Sequence, residues 1–385
     1  MVTRTYLIWT FLRASCHRGY VLVSGLYFVV VAHLPAGELL LLGTVVAVTM
    51  LASDAPAGVW SDAISRRWPL ATGHALLAAG MVTTGFVTAF PWIVATQVLW
   101  GLGWALMAGA DVAWLTDELD DPAGIARALT AAARWELAGG AAGMVAFGVL
   151  SLVAGPAAAI AVSGAGMALI GLYVAARFTE RHFTPVRHRA APAILRRGLG
   201  LARRDHQILL VLAATTTVNG AGVIGWIFPR RLVELGFPGD PTLWYTALGL
   251  LASVAGAVTL RLVEARIDGE GVARRVYALA CLAGALGALV LAYAPGALVG
   301  GLGVLLVSGV CFTVTRAVGV IWVNGRVTSD VRATVHSFLS QAENTGKIAG
   351  GFALTALAQA AGPGATLVTS AALIACAGAM VATRR

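Results

Sequence analysis

Twelve apolar runs of roughly twenty residues each govern what this chain can fold into. They lie near 8–32, 38–61, 68–89, 92–116, 127–154, 157–177, 207–233, 242–263, 275–294, 297–323, 332–360 and 364–383. At about 1.5 Å of rise per residue, a helix of that length crosses the ~30 Å hydrocarbon core of a bilayer. Inside that core each backbone N–H and C=O must be satisfied within its own segment, which favours helices. The runs therefore predict an all-α integral membrane fold with twelve spans in two six-helix bundles. Phe90-Pro91, Gly155-Pro156, Ala294-Pro295-Gly296 and Gly362-Pro363-Gly364 separate neighbouring runs by tight turns. With 58% hydrophobic and 12% charged residues, the 385-residue chain departs far from soluble composition. A soluble enzyme, a disordered chain and a nucleic-acid-binding domain are excluded on that ground. The 46 glycines suit close helix packing in a membrane.

The net charge of +9 is a topology signal. Arg66, Arg67, Arg127, the stretch from Arg181 to Arg204, Arg266, Arg274, Arg275, Arg326, Arg332, Arg384 and Arg385 fall on one set of alternate loops. The opposite loops, near 33–37, 90–91, 155–156, 235–241, 295–296 and 361–364, carry no Lys or Arg. This places both termini and the charged loops in the cytoplasm, with the chain in the cytoplasmic membrane. Among 27 basic residues only Lys347 is a lysine, a bias that points to a GC-rich bacterial genome. The first span carries Arg13, His17 and Arg18 without a small-residue cleavage site, so it reads as a retained span. The longest polar stretch, 179–206, follows the sixth span. It divides an N-terminal bundle (1–178) from a C-terminal one (207–385), as duplication around a transport pathway would.

Several chemistries are set aside by spacing. Cys16, Cys281, Cys311 and Cys376 are scattered in apolar runs and read as small buried hydrophobes. His182, His188 and His206 in the basic linker lack metal-ligand spacing. Gly346-Lys347 lacks the glycine and hydroxyl of a phosphate loop, so direct ATP use is not expected. No Ser-His, His-Glu-x-x-His or paired-Asp arrangement sits at matching depth, which argues against an enzyme. The glycine pairs Gly139/Gly143 and Gly346/Gly350 predict helix packing within the chain, and a monomer.

Charges inside spans cost several kcal/mol unless paired or wet, so they mark function. They are Asp54, Arg13, His17, Arg18, Asp111, Arg134, Glu136, Arg316, Glu343 and Lys347. Asp111 reads either as a proton site, with Asp54 and Glu343 behind it, or as a structural anchor paired to Arg18 or Arg134. Asp54, Asp111, Arg18, Arg134 and Glu343 are thus the candidates for proton and substrate coupling. Trp114, Trp135, Asn219, Trp226, Arg316 and Gln341 are the candidates for a substrate cavity, where aromatic faces suit flat or cationic organic molecules.

The most specific local pattern is Gly58-Val59-Trp60-Ser61-Asp62-Ala63-Ile64-Ser65-Arg66-Arg67, between the second and third spans. Gly58 would let the end of the second span pack closely. Asp62 can accept hydrogen bonds from a helix N-terminus or an arginine, and Arg66 and Arg67 hold the loop at the inner surface. Such a cluster can latch the inner face. The pattern resembles the signature loop of the major facilitator superfamily, Gly-x-x-(Ala/Ser)-Asp-x-x-x-Arg-Arg. The resemblance covers the whole chain and is nearest to the twelve-span drug-exporter-like branch. It is carried by Asp54-Ala55-Pro56-Ala57-Gly58, by Gly109-Ala110-Asp111-Val112-Ala113-Trp114-Leu115-Thr116-Asp117-Glu118, and by Arg332-Ala333-Thr334-Val335-His336-Ser337-Phe338-Leu339-Ser340-Gln341-Ala342. The fifth span departs from the branch's antiporter signature: Gly139, Gly140, Gly143 and Gly148 remain without its proline. The second-half copy of the loop, around Arg261 to Arg275, is degraded.

The resemblance implies a secondary transporter working by alternating access, with Gly58, Asp62, Arg66 and Arg67 as gate. It implies proton-coupled export of a hydrophobic or amphipathic small molecule, driven by the proton gradient with no cofactor. Proton-coupled uptake of a small metabolite, and a non-transporting membrane sensor, are the alternatives. The partners expected are a small-molecule substrate, protons and the lipid bilayer.

Overall fold

A computed structural model describes residues 1–119, 121–185, 200, 205–264, 269–326 and 332–383. Most of the basic linker, His188 included, and Arg266, Arg384 and Arg385 lie outside the described residues. The described secondary structure is helical throughout. The helices are α1 (Val2–Val30), α2 (Ala36–Ala63), α3 (Arg67–Thr84), α4 (Phe90–Met107), α5 (Ala110–Leu119), α6 (Pro122–Ala154) and α7 (Pro156–Arg177). Then come α8 (His206–Gly222), α9 (Phe228–Leu235), α10 (Pro241–Glu264), α11 (Glu270–Tyr293), α12 (Ala297–Val304), α13 (Thr313–Asn324) and α14 (Arg332–Thr383). A 3₁₀ segment, Val223–Ile227, joins α8 to α9, and a π-helical segment, Leu305–Phe312, joins α12 to α13.

Nine described helical segments are long and apolar enough to cross a membrane. The last of them is two helices meeting at Gly362, whose φ of 82° is non-helical and precedes Pro363. α1 and α3, which are less apolar, occupy the two remaining predicted spans. The tight turns at Pro91 and Pro156 fall where the sequence predicted them: each proline stands in the first turn of a helix, where a missing N–H costs nothing. One predicted span, 92–116, is broken. Gly109 takes φ +78° between α4 and α5, a conformation that strains any residue with a Cβ.

The chain forms two compact units. The first comprises Met1–Leu34, Val48–Arg187 and Asp240–Gly249, and the second Pro35–Ala47, His188–Gly239 and Leu250–Arg385. This partition divides α2 and α10 between the units.

In the first unit α1 packs along α6 and α7, and α3 along α4 and α7. The α1–α6 contact depends on absent side chains. A Cβ at Gly139 would strike the Phe11 carbonyl, and one at Gly143 the Ser15 carbonyl. Ser15 Oγ spans the two helices, donating to Gly139 O (2.8 Å) or Phe11 O (2.9 Å). In the second unit α14 packs along α8 by the same device: Gly346 and Gly350 stand against the carbonyls of Thr216 and Gly220. Both glycine pairs predicted from spacing thus join helices within the chain.

Candidate functional site

The turn between α2 and α3 is built around Arg66, whose side chain is only 9% exposed. Its Nη1 donates to Asp62 and to Ser61 Oγ (3.3 Å), and its Nε donates to Asp117 Oδ2 on α5 (3.2 Å). A planar fork with several fixed N–H directions suits this task, and a lysine would not reach all three partners. The N-terminus of α3 presents free backbone amides and positive dipole charge. Glu180, beyond α7, takes that place: it accepts from the amides of Arg66 and Arg67 (3.0 Å for the latter) and from Ser65 Oγ (2.9 Å). Ser65 in turn caps the Trp68 amide (3.1 Å). Glu118 accepts from the amides of Arg181 and His182.

Three sequence expectations are adjusted here. Asp62 is held by the arginine, while Glu180 occupies the helix N-terminus also considered for Asp62. Gly58 is exposed, with nothing within 4 Å of a Cβ placed on it, so the close packing expected there is not made. The guanidinium of Arg67 lies over the Trp68 ring (4.8 Å) and makes no ion pair among the described residues.

Deeper in the first unit a polar and aromatic cluster surrounds α1. Tyr6 donates its hydroxyl to Asp111 Oδ2 (3.2 Å), in the first turn of α5 just after the Gly109 break. Asp111 is therefore anchored by a phenol; Arg18 and Arg134, the partners expected for an anchor, are both exposed and not paired to it. Arg13 lies over Trp9 (4.8 Å) and Trp104 (5.4 Å) and reaches Glu136 at 3.7 Å. His17 stacks edge-on to Trp104 (4.8 Å). Trp9 Nε1 donates to His74 Nε2 (3.2 Å), while His74 Nδ1 meets the Leu70 carbonyl (2.7 Å). An indole can only donate, so the His74 proton sits on Nδ1 and the ring is neutral. Arg13 Nε, His17 Nδ1 and the indole nitrogens of Trp100 and Trp104 are buried without a hydrogen-bond partner among the described residues.

Trp114, read as a cavity aromatic, is only 1% exposed. It stacks on Phe178 (4.0 Å) and donates to the Thr179 carbonyl (2.9 Å), beside the Glu118 and Glu180 contacts. Trp135, on α6, is exposed and edge-on to Phe11 of α1. Asp54 is half-buried in α2, and Gln341 is exposed on α14.

The second unit contains a cavity of about 750 Å³. That volume accommodates a small organic molecule. Asn219, Trp226, Arg316 and Glu343 all line it, as do Tyr277, Phe312 and Lys347, which the sequence did not assign to a cavity. Two irregular segments shape its wall. The 3₁₀ turn carries Trp226, and the π-helical segment ends at Phe312 and re-registers α13 so that Thr313 and Arg316 reach the cavity. Asn219 donates one amide N–H to the Thr215 carbonyl (2.9 Å), leaving its second N–H and its oxygen for other partners. Arg316 Nε lies 3.8 Å from Glu343 Oε1. Lys347 stands one helical turn beyond Glu343 on α14 and makes no ion pair or hydrogen bond among the described residues. Its proximity to Arg316 was not legible from sequence, because α13 and α14 meet only in the fold.

The comparisons agree with this architecture. The model of the Major Facilitator Superfamily matches residues 18–351. The chain belongs to that superfamily: it is a multi-pass membrane protein and a secondary transporter, not an enzyme. Among solved structures it is similar to the nucleoside transporter NupG, at 16% identity and TM-score 0.77 over 100% of both chains. It is also similar to a POT family transporter in complex with 5-aminolevulinic acid, at 10% identity and TM-score 0.73 over 98% of this chain and 95% of that one. A bacterial homolog of the human lysosomal transporter Spinster matches at 14% identity and TM-score 0.73, over 99% and 95%. At such identities these likenesses concern the fold. No curated protein sequence matches the chain.

Proposed function

We propose that this chain is a proton-coupled uptake transporter for a small polar metabolite. In this reading two six-helix halves, 1–178 and 207–385, joined by the 179–206 linker, alternate access to a central site in a bacterial cytoplasmic membrane, with both termini inside. The observation that carries it is the second-unit cavity, where Asn219, Arg316, Glu343 and Lys347 gather opposite Trp226, Tyr277 and Phe312. A cavity with three ionisable groups and a free amide oxygen suits a polar solute, because an apolar one would leave those groups without partners. Two of the structural neighbours are a nucleoside transporter and a POT family transporter in complex with 5-aminolevulinic acid, and both kinds of molecule are small and polar. Glu343 is the proposed proton carrier, and Asp111 is a second carboxylate, tied to Tyr6. The Asp62–Arg66–Asp117 network with Glu180 is the proposed inner gate.

Proton-coupled export of an amphipathic molecule is the second reading. It is favoured by the drug-exporter-like patterns around Asp54, Asp111 and Arg332 and by the aromatic cavity wall. Proteoliposomes carrying an internal pH dye separate the two. For uptake, an added solute under an inward proton gradient should acidify the lumen as it enters, and Glu343→Gln should abolish the coupled acidification. Proton exit coupled to solute entry would instead mark an exchanger, and the uptake proposal would be abandoned.

A further inference from the structure

We infer that the second-unit cavity is a receptor for an organic carboxylate monoanion, a cargo class that rests on the transport reading above. The argument is one of charge. Among the described residues, the charged groups lining the cavity are Arg316, Lys347 and Glu343. Arg316 lies beside Glu343 at 3.8 Å, and its side chain is 77% exposed, so it can turn toward a ligand. Lys347 is half-buried in α14, without an acceptor among the described residues. Among the described residues, Glu343 is the one carboxylate that Arg316 and Lys347 share. The cost of holding two cations partly out of water beside a single carboxylate falls when a second anion arrives. One carboxylate neutralises the surplus: two cations, one resident carboxylate, one cargo carboxylate. A cationic cargo would raise the surplus, and a neutral one would leave it.

The remaining lining defines the body of the ligand. Trp226 and Phe312 offer apolar faces and Asn219 both an acceptor oxygen and a second amide N–H, so the carboxylate is attached to a compact carbon skeleton on which a hydrogen-bonding substituent can meet Asn219. The cavity's ~750 Å³ leaves room for such a molecule and for water. Lys347 contributes a point charge, while Arg316 can engage both carboxylate oxygens at once.

The test is a binding measurement on purified full-length protein in detergent, independent of transport. Matched pairs serve as probes: benzoate and benzamide, phenylacetate and phenylacetamide, 4-hydroxyphenylacetate and its amide, nicotinate and nicotinamide, with benzylamine as the cationic control. The expected result is thermal stabilisation by one or more carboxylates and by none of the amides or the amine at equal concentration. Lys347→Gln should weaken that carboxylate's affinity by about tenfold or more, while Lys347→Arg keeps it within a few-fold. Lys347→Gln without ligand should melt no lower than wild type, since it removes the surplus positive charge and leaves Arg316 with Glu343. Equal stabilisation by amides or amine would overturn the inference, as would silence from every carboxylate. It is also overturned if Lys347→Gln lowers the unliganded melting temperature yet leaves affinity unchanged. Carboxylate binding without proton-coupled uptake would keep the inference and refute only the transport mode.

Discussion

The two arginines of the α2–α3 turn look equivalent in the sequence, and the structure separates them. Replacing Arg66 by Met keeps the side-chain length and removes the guanidinium. That strips Nη1 from Asp62 and Ser61 and Nε from Asp117, leaving two carboxylates facing each other without a cation. Hydrogen bonds to charged groups contribute about 1.5–3 kcal/mol each. Asp62 and Asp117 are 34% and 28% exposed, so water screens part of that interaction. A total loss of roughly 2–3 kcal/mol follows, somewhat below the range for breaking a fully buried pair. Arg67→Met loses a stack on a half-exposed Trp68, worth about 0.5–1 kcal/mol, and leaves intact the Arg67 amide bond to Glu180. At the roughly 2–4 °C per kcal/mol typical of domains this size, Arg66→Met should melt about 5–10 °C below wild type and Arg67→Met within about 3 °C. Arg66→Lys should fall between, because an ammonium cannot satisfy all three acceptors together. The assay is tryptophan-fluorescence melting of the purified protein in one detergent at fixed salt. Equal shifts for the two Met variants, or an Arg66→Met protein within 1 °C of wild type, would refute the reasoning.

Gly143→Leu should abolish accumulation of folded protein, because any side chain there meets the Ser15 backbone of α1. Gly140→Ala, whose new Cβ meets only the flexible stem of Arg18, should express normally; detergent-solubilised gel filtration distinguishes them. The Asp205 carboxyl caps α8 and receives Arg326 Nε at 2.9 Å. Its partial burial would raise its pKa, but the hydrogen bonds from Arg326 and from the Gln207 and Ile208 amides outweigh that and hold it below the usual carboxylate range. A depressed acid stabilises above its unfolded pKa and loses that contribution as pH falls through the folded one. The melting difference between wild type and Asp205→Asn should accordingly be present at pH 7 and shrink below about pH 4. Trp9→Phe should cost about 1–2 kcal/mol by leaving His74 Nε2 buried without its donor, read as a lower melting temperature.

Much of the fold was legible because membrane helices are specified locally. Hydrocarbon forces each run to satisfy its own backbone, so run length and the Pro and Gly between runs located the spans within a few residues. The break at Gly109 and the irregular segments at Val223–Ile227 and Leu305–Phe312 escaped notice, because their residues are as apolar as those of an unbroken helix. Asp62 and Arg66 were found because they sit four residues apart in one turn. Glu180 was not, since more than a hundred residues separate it from the amides it caps.

What the sequence alone determined was the solvent this chain folds in, the rough bounds of its apolar spans, the glycine seams that let them approach, and the superfamily its turn motif resembles. All of these are written in contiguous residues or fixed short spacings. Which side chains meet was decided by tertiary structure. Packing buried Trp114 against Phe178 while the irregular helical turns brought Trp226 and Arg316 to a cavity, placed Tyr6 rather than an arginine on Asp111, and set Lys347 and Glu343 beside Arg316. Hydropathy records how deep a residue lies in the membrane, and helix packing fixes what it faces there.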